Sequence, residues 1–313
     1  MSVQSFLAIG SQILILFALI GVGAFAYKIK LWKENGVSQM TTLVLYLVIP
    51  MMTIESMQIP FEVRLLKGAG IAALFAVITH LIAIVLSRLL LPATPERKKR
   101  MYSYAVISGN IGFFGFPLIS LSVGPIGVFY ASIYLLVFHI FVWTYGVYLL
   151  SKDLEGNNMS LRRALINPGV ISVFIALFLF ISGIRLPGVL MTVVSSIASL
   201  NRPLGMMVVG AEIAAVSLGA FWKDKHLYIA VFMRLLLIPA IVLPLLLLLT
   251  NDRTLSVGAF VPVLVPTATN IVMFASRFKQ DTLAASRALA VTTLFSMLTV
   301  PLWLWLLDLL RPA

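Results

Sequence analysis

Long apolar segments separated by short charged ones dominate this sequence. Hydrophobic residues make up 61% of the 313 residues, and charged residues make up only 11%. A soluble domain carries about a quarter charged residues, and it could not bury this much apolar surface. A helix needs about 20 mostly apolar residues to cross the hydrocarbon core of a bilayer. The chain is therefore predicted to be an all-α integral membrane protein, with the lipid bilayer as its surroundings.

Ten segments meet this length and composition. They are 6–27, 39–57, 66–91, 102–123, 127–150, 167–184, 188–219, 227–250, 255–276 and 283–308, numbered here as spans 1 to 10. Span 7 is too long for one straight helix and contains Asn201-Arg202-Pro203 in its middle. A broken or strongly tilted helix is expected there.

The basic residues of the loops support this count. The loops after the odd-numbered spans hold fourteen of them, and the other loops and the tails hold five. Because basic residues favour the cytoplasmic side, both termini are predicted outside a bacterial cytoplasmic membrane. The net charge of +12 then reflects topology, and nucleic-acid binding is not expected. The chain has no cysteine, and His80, His139 and His226 are not at ligand spacing, so neither a metal site nor a cofactor is predicted.

Prolines recur at matching places in the two halves of the chain. Pro50 and Pro203 are 153 residues apart, and Pro117 and Pro266 are 149 apart. With five spans in each half, the second half must enter the membrane from the opposite side, which predicts an inverted repeat. The first repeat, the cytoplasmic linker and the second repeat are predicted at 1–150, 151–166 and 167–313.

Two spans at corresponding places are rich in helix breakers. Span 4 has three glycines and a proline between Gly109 and Pro117, and span 9 reads Val265-Pro-Thr-Ala-Thr-Asn270. Such breaks point to a binding site, because half-helix N-termini present free N–H groups that suit a carboxylate. The alternative is that glycine and proline only let helices pack closely. The candidate substrate-binding residues are Gly109, Asn110, Pro117, Pro266, Thr267, Thr269 and Asn270.

Glu212, Arg202 and Arg234 fall well inside predicted spans, where each needs a partner or water. Glu212 is the candidate carrier of a coupled proton, or else it forms a structural ion pair with Arg234 or Arg287. Arg234 either has a functional charge or extends to the nearby membrane interface, and Arg202 is expected to face the outer vestibule. Thr53, three residues after the proline of span 2, is a candidate for the facing wall of the site.

The order of these motifs resembles the auxin efflux carrier family, which includes plant auxin exporters and bacterial permeases. The resemblance covers nearly the whole chain, apart from a large cytoplasmic loop that the plant members insert. The matching positions are Trp32-Lys33, Pro50, Asn110-x4-Gly115-x-Pro117-Leu118, Arg234-x4-Pro239, Pro266, Phe274-Ala275, Asp281, Ala290, Met297 and Pro301.

The resemblance implies a scaffold of spans 1, 2, 6 and 7 and a moving transport domain of spans 3–5 and 8–10. It implies substrate binding where spans 4 and 9 cross, an elevator-like movement, a homodimer, and small organic anions as substrates. Gly109 stands where the plant exporters have proline, and His139, before Trp143, stands where they have glutamine. This match makes His139 a candidate site residue. Spans 4 and 9 contain no acid, which disfavours a sodium site there.

The sequence thus predicts a secondary carrier of small organic anions such as mono- or dicarboxylates. The alternatives are a passive anion channel or uniporter, and a sodium- or proton-coupled permease for another small solute. An intramembrane enzyme would need paired aspartates or a His-Glu-x-x-His motif, and the sequence has neither.

Overall fold

The computed structural model describes residues 3–91, 94–152, 168–215 and 224–311, with side chains from residue 14 onward. Most of the predicted linker, from residue 153 to 166, lies outside the described residues. Within the described ranges the fold is all-helical, and its only β-type pairing is an isolated bridge between Gly109 and Thr267. The prediction of an all-α chain is confirmed.

Twelve helical segments account for the described ranges. They are α1 (Val3–Lys28), α2 (Glu34–Ser56), α3 (Val63–Leu90), α4 (Glu96–Ile107), α5 (Ile111–Ser151), α6 (Pro168–Ser182), α7 (Gly188–Ala198), α8 (Asn201–Ala215), α9 (Lys225–Leu249), α10 (Arg253–Leu264), α11 (Asn270–Arg277) and α12 (Thr282–Leu310).

Six stretches among the described residues are long and apolar enough to cross a membrane: α2, α3, α5, α7 with α8, α9 and α12. Shorter apolar helices occur at Leu14–Lys28, Pro168–Ser182 and Arg253–Leu264. The chain is therefore a multi-pass membrane protein. The predicted spans 66–91 and 283–308 correspond to α3 and α12.

Three prolines inside helices follow a π-helical turn. Proline lacks the N–H that an α-helix needs and clashes with the carbonyl one turn back, and a π-turn is one way to accommodate it. Pro50, Pro117 and Pro239 each lie two residues beyond such a turn, at Val44–Val48, Ile111–Gly115 and Met233–Leu237 respectively. Pro117 therefore lies within α5, and the break predicted around it falls earlier, between Ile107 and Ile111.

A kink at Gly124 divides α5, where the sequence predicted a loop between spans 4 and 5. Gly124 has φ 70° and ψ −162°, outside the helical region, and Pro125 follows it. Glycine adopts a positive φ without the steric penalty of a side chain. The chain therefore changes direction here within one residue instead of leaving the helix for several.

Aspartates begin three helices of the second half. The carboxylates of Asp224, Asp252 and Asp281 accept hydrogen bonds from N–H groups three residues on, at 3.3, 3.0 and 2.8 Å. These N-caps satisfy donors that a helix start leaves free. Asp224 also accepts from Lys98 Nζ at 2.9 Å and from Tyr102 Oη at 2.8 Å, which ties the start of α9 to α4.

The Asp224 cluster predicts a pH-dependent stability. Burial raises the pKa of this carboxyl, but the hydrogen bonds from Lys98, Tyr102 and Leu227 N–H outweigh burial, so its pKa lies below the ordinary value. A depressed pKa stabilises the fold above the unfolded-state value of about 3.9, and that stabilisation is lost as pH falls through the folded value. Asp224→Asn should therefore lower the melting temperature at neutral pH and lose this effect in acid.

A thermal melt in detergent at a series of pH values measures this difference. Glu62→Gln is the matched control, because the Glu62 side chain is 54% exposed and faces only Arg64 at 3.8 Å. A gap between wild type and Asp224→Asn that stays constant down to pH about 3 would contradict the assignment.

Close packing defines two groups of helices, which also touch each other. In the first group, α1 lies along α8 so closely that a Cβ on Gly23 or Gly210 would overlap a backbone carbonyl of the other helix, and α6 and α7 pack on α2. In the second group, α3, α5 and α10 pack together, and a Cβ on Gly258 would lie 2.6 Å from the carbonyl oxygen of Gly127. The breaks described next lie in the second group.

Candidate functional site

Two helix breaks meet and hydrogen-bond to each other inside the protein. One break separates α4 from α5, and the other separates α10 from α11. The N–H of Asn110 donates to the carbonyl of Pro266 at 2.8 Å, and the N–H of Ala268 donates to the carbonyl of Ser108 at 3.2 Å. This pairing satisfies backbone groups that the bilayer could not, and it holds the two interrupted helices against each other.

Thr267 orders the crossing through hydrogen bonds to two other helices. Its hydroxyl donates to the carbonyl of Ala105 at 2.6 Å, and its N–H donates to Thr292 Oγ1 at 3.2 Å. The side chain is fully buried. Thr267 therefore links the second break to both α4 and α12, which is a structural role.

A cavity of about 660 Å³ lies against the crossing. Six of the residues singled out from the sequence line it: Gly109, Asn110, His139, Glu212, Thr269 and Asn270. Five others are buried and do not line it: Thr53, Pro117, Arg234, Pro266 and Thr267. Arg202 is exposed on α8, away from the cavity. The crossing thus gathers the polar candidates of spans 4 and 9 beside His139 and Glu212.

The starts of α5 and α11 both face this cavity. Gly112 and Phe113, in the first turn of α5, line it, and so do Val272 and Met273 in the first turn of α11. The first N–H groups of a helix have no partner within the helix and carry its positive dipole end. Two such starts directed at one space form a site suited to an anionic group.

Three side chains add hydrogen-bonding groups at the same place. Asn110 Nδ2 and His139 Nδ1 are buried without a hydrogen-bond partner in the described structure. Tyr104 Oη donates to Asn270 Oδ1 at 3.0 Å, which turns the amide so that its nitrogen is left to donate elsewhere. Sequence reasoning missed Tyr104, because its partner lies 166 residues away and no local pattern marks the pair.

Glu212 lies on the opposite wall of the cavity from the crossing helices, on α8. Its Oε1 accepts a hydrogen bond from Thr41 Oγ1 at 3.2 Å, while Oε2 is buried without a partner. Glu34 also lines the cavity. Arg234 and Glu212 are not paired in the described structure, where the Arg234 guanidinium nitrogens bond to backbone carbonyls.

Arg234 lies behind the crossing, on α9. Its side chain is 3% exposed, so it does not extend to the membrane interface. Nε donates to the carbonyl of Val265 at 3.1 Å, Nη2 to that of Pro262 at 3.1 Å, and Nη1 to that of Val106 at 3.4 Å. It thus bonds to carbonyls from both interrupted helices.

Asn201 was also missed as a contact residue. Its Nδ2 donates to the carbonyl of Gly112 at 3.0 Å and lies 3.3 Å from Met52 Sδ. Asn201 is 1% exposed and begins α8, so this bond joins the first group of helices to the first turn of α5. The Asn-Arg-Pro sequence marked a break in span 7 but did not show what the asparagine touches.

A multi-pass helical protein in which two interrupted helices cross beside a cavity with polar side chains in its wall has the features of a membrane transport protein. The family model described as "Membrane transport protein" matches residues 8–160 and 154–304. The chain belongs to this family, the auxin efflux carrier family, which confirms the resemblance seen in the sequence. It is also 23% identical, over 305 residues, to an uncharacterized transporter of Methanocaldococcus jannaschii, covering 94% of this chain and 97% of that relative.

Proposed function

We propose that this transporter is a secondary carrier of small organic anions such as mono- or dicarboxylates. The observation that carries the proposal is the single cavity faced by the first turns of α5 and α11. An anion there would accept hydrogen bonds from N–H groups in the first turns of both helices and from the amides of Asn110 and Asn270. Neutral donors suit a carrier, because a solute must be released as well as bound.

The arrangement of breaks supports an inverted repeat of five spans in each half. Span 4 corresponds to α4 with the start of α5, and span 9 corresponds to α10 with α11. In each of these two spans, the first helix ends at the crossing with its carbonyl groups, and the second helix starts there with its N–H groups. Spans 1, 2, 6 and 7 would form the scaffold, and spans 3–5 and 8–10 the transport domain, in a homodimer embedded in the cytoplasmic membrane.

The contacts between the two groups favour an elevator-like movement. At this boundary α5 presents Gly112, and α8 presents Gly205, whose added Cβ would lie 3.4 Å from Phe113 Cδ1. Small residues leave a surface that one helix can slide along. The hydrogen bond from Asn201 to the Gly112 carbonyl crosses the same boundary, so the movement would break it.

The cavity lies toward the ends of helices that the charge pattern assigns to the cytoplasm. Glu34 at the start of α2, Pro168 at the start of α6 and Ala215 at the end of α8 all line it. With both termini outside, this conformation is open toward the cytoplasm.

Proton coupling is favoured over sodium coupling by two titratable groups on the cavity wall. Glu212 Oε2 and His139 Nδ1 are both buried without a partner in the described structure, and each can bind or release a proton. No group of three histidine, aspartate or glutamate residues that could hold a metal ion occurs among the described residues.

Transport by the purified protein in liposomes tests the proposal. We expect saturable uptake of a labelled mono- or dicarboxylate, accelerated when unlabelled acid is trapped inside the vesicles. Such counterflow requires a site that reorients while loaded. Uptake that does not saturate, together with a large electrical conductance, would instead favour the passive channel. Uptake equal to that of empty liposomes across a panel of both acid classes would overturn the organic-anion assignment.

A further inference from the structure

The breaks that free amide groups at the starts of α5 and α11 also free carbonyl groups at the ends of α4 and α10. The last carbonyls of a helix have no partner within it, and together they carry the negative end of the helix dipole. Two such ends converge at the crossing, buried within the protein, where a polar group left without a partner is costly. The carbonyl groups at the ends of α4 and α10 therefore need hydrogen-bond donors or a cation as partners.

Arg234 meets this requirement from a third helix. Its bonds reach Pro262 and Val265 at the end of α10 and Val106 in the last turn of α4. Arginine offers five N–H donors in one planar fork and stays charged at every physiological pH. One side chain can therefore bridge two helix ends that approach from different directions.

Gly109 leaves the space that the guanidinium needs. A Cβ at this position would overlap Arg234 Nη2 and would lie 3.0 Å from the Pro262 carbonyl oxygen. Gly109 itself lines the cavity. The guanidinium is therefore separated from the cavity by a residue without a side chain.

Arg234 forms no ion pair with a carboxylate among the described residues. The ion pairs found among the described residues involve Arg64, Lys98, Arg100, His226 and Arg253, all at helix ends or in loops. A permanent charge inside a membrane is expensive, and among the described residues three backbone carbonyls accept hydrogen bonds from it. Backbone carbonyl oxygens at half-helix ends also coordinate cations in other transporters with interrupted helices.

We infer that the ends of α4 and α10 form a carbonyl-lined cation site and that Arg234 is its resident cation. A dissociable cation is thus not needed to hold this crossing together. The inference concerns the assembly of the crossing and holds whichever solute is carried. In the organic-anion carrier proposed above, the same charge would also lie directly behind the bound anion.

Removing the side chain should turn the site into one that takes up a free cation. We expect Arg234→Ala to melt at a lower temperature than wild type in detergent. Millimolar methylguanidinium should restore about half or more of the lost melting temperature, because a ligand that binds only the folded state stabilises it. Wild type should not respond. Arg185→Ala, which removes an exposed arginine between α6 and α7, should melt like wild type and not respond either.

Two further variants separate the cation from simple packing. Arg234→Lys keeps the charge with fewer donors, so its melting temperature should lie between those of wild type and Arg234→Ala. If the alanine variant does not fold, the lysine variant replaces it in the comparison. Arg234→Met keeps the length without charge or donors and should be no more stable than Arg234→Ala. A methionine variant as stable as wild type, or an alanine variant indifferent to methylguanidinium, would overturn the inference. These melting experiments contain no organic anion. A failed transport assay would therefore overturn the proposed function, while the melting temperatures would still test the role of Arg234.

Discussion

Asn110→Ala is expected to lower the initial rate of organic-anion uptake into liposomes by roughly 10- to 100-fold, the range for losing a hydrogen bond to a charged group. Asn110 Nδ2 is buried beside the cavity without a hydrogen-bond partner among the described residues, so the variant removes a donor that we propose binds the solute. Asn270→Ala should act in the same direction, because Tyr104 already occupies its oxygen and leaves the amide nitrogen free to donate.

The design must separate a lost donor from a damaged fold. Asn110→Asp keeps the shape of the side chain but replaces the amide donor with a negative charge, so it should abolish uptake while the protein still purifies as a single species. Asn251→Ala is the matched control, since Asn251 is exposed in the loop before α10. Full uptake by both Asn110→Ala and Asn270→Ala would show that the crossing does not bind the solute.

Gly23→Val is expected to have the largest effect on folding. A Cβ on Gly23 would overlap the backbone carbonyl of Met207, because α1 and α8 are in direct backbone contact there. Backbone atoms cannot rotate aside as a side chain can, so the helices must separate. Overpacking of this kind costs typically about 1–3 kcal/mol and occasionally more. Small residues are what allow such close packing in membranes.

A control two residues away makes the comparison sharp. Gly21 lies on the same helix but is exposed, and an added Cβ there has no atom within 4 Å. Gly21→Val makes the same change in helix propensity without the overlap. Yield of folded protein on size exclusion and the melting temperature in detergent give the comparison. Equal melting temperatures for the two variants would show that α1 and α8 do not pack in this way.

The crossing illustrates how far sequence reasoning reached. Asn110, Thr269 and Asn270 were chosen as substrate-binding candidates because breaks in spans 4 and 9 mark where backbone groups are freed, and all three line the cavity. Thr267 and Pro117 were chosen by the same rule but do not face the cavity. Thr267 bonds to α4 and α12, while Pro117 follows a π-turn within a helix that is not broken there.

By itself the sequence determined the membrane class, the approximate bounds of most helices, the two breaks and the family. These depend on the length of apolar segments and on residues that cannot continue a helix, which are local properties of the chain. Only the tertiary structure decided which groups meet at the breaks. Arg234 bonding to three carbonyls and Tyr104 orienting Asn270 both join distant segments. Such contacts depend on how helices pack, and no local pattern of residues specifies that.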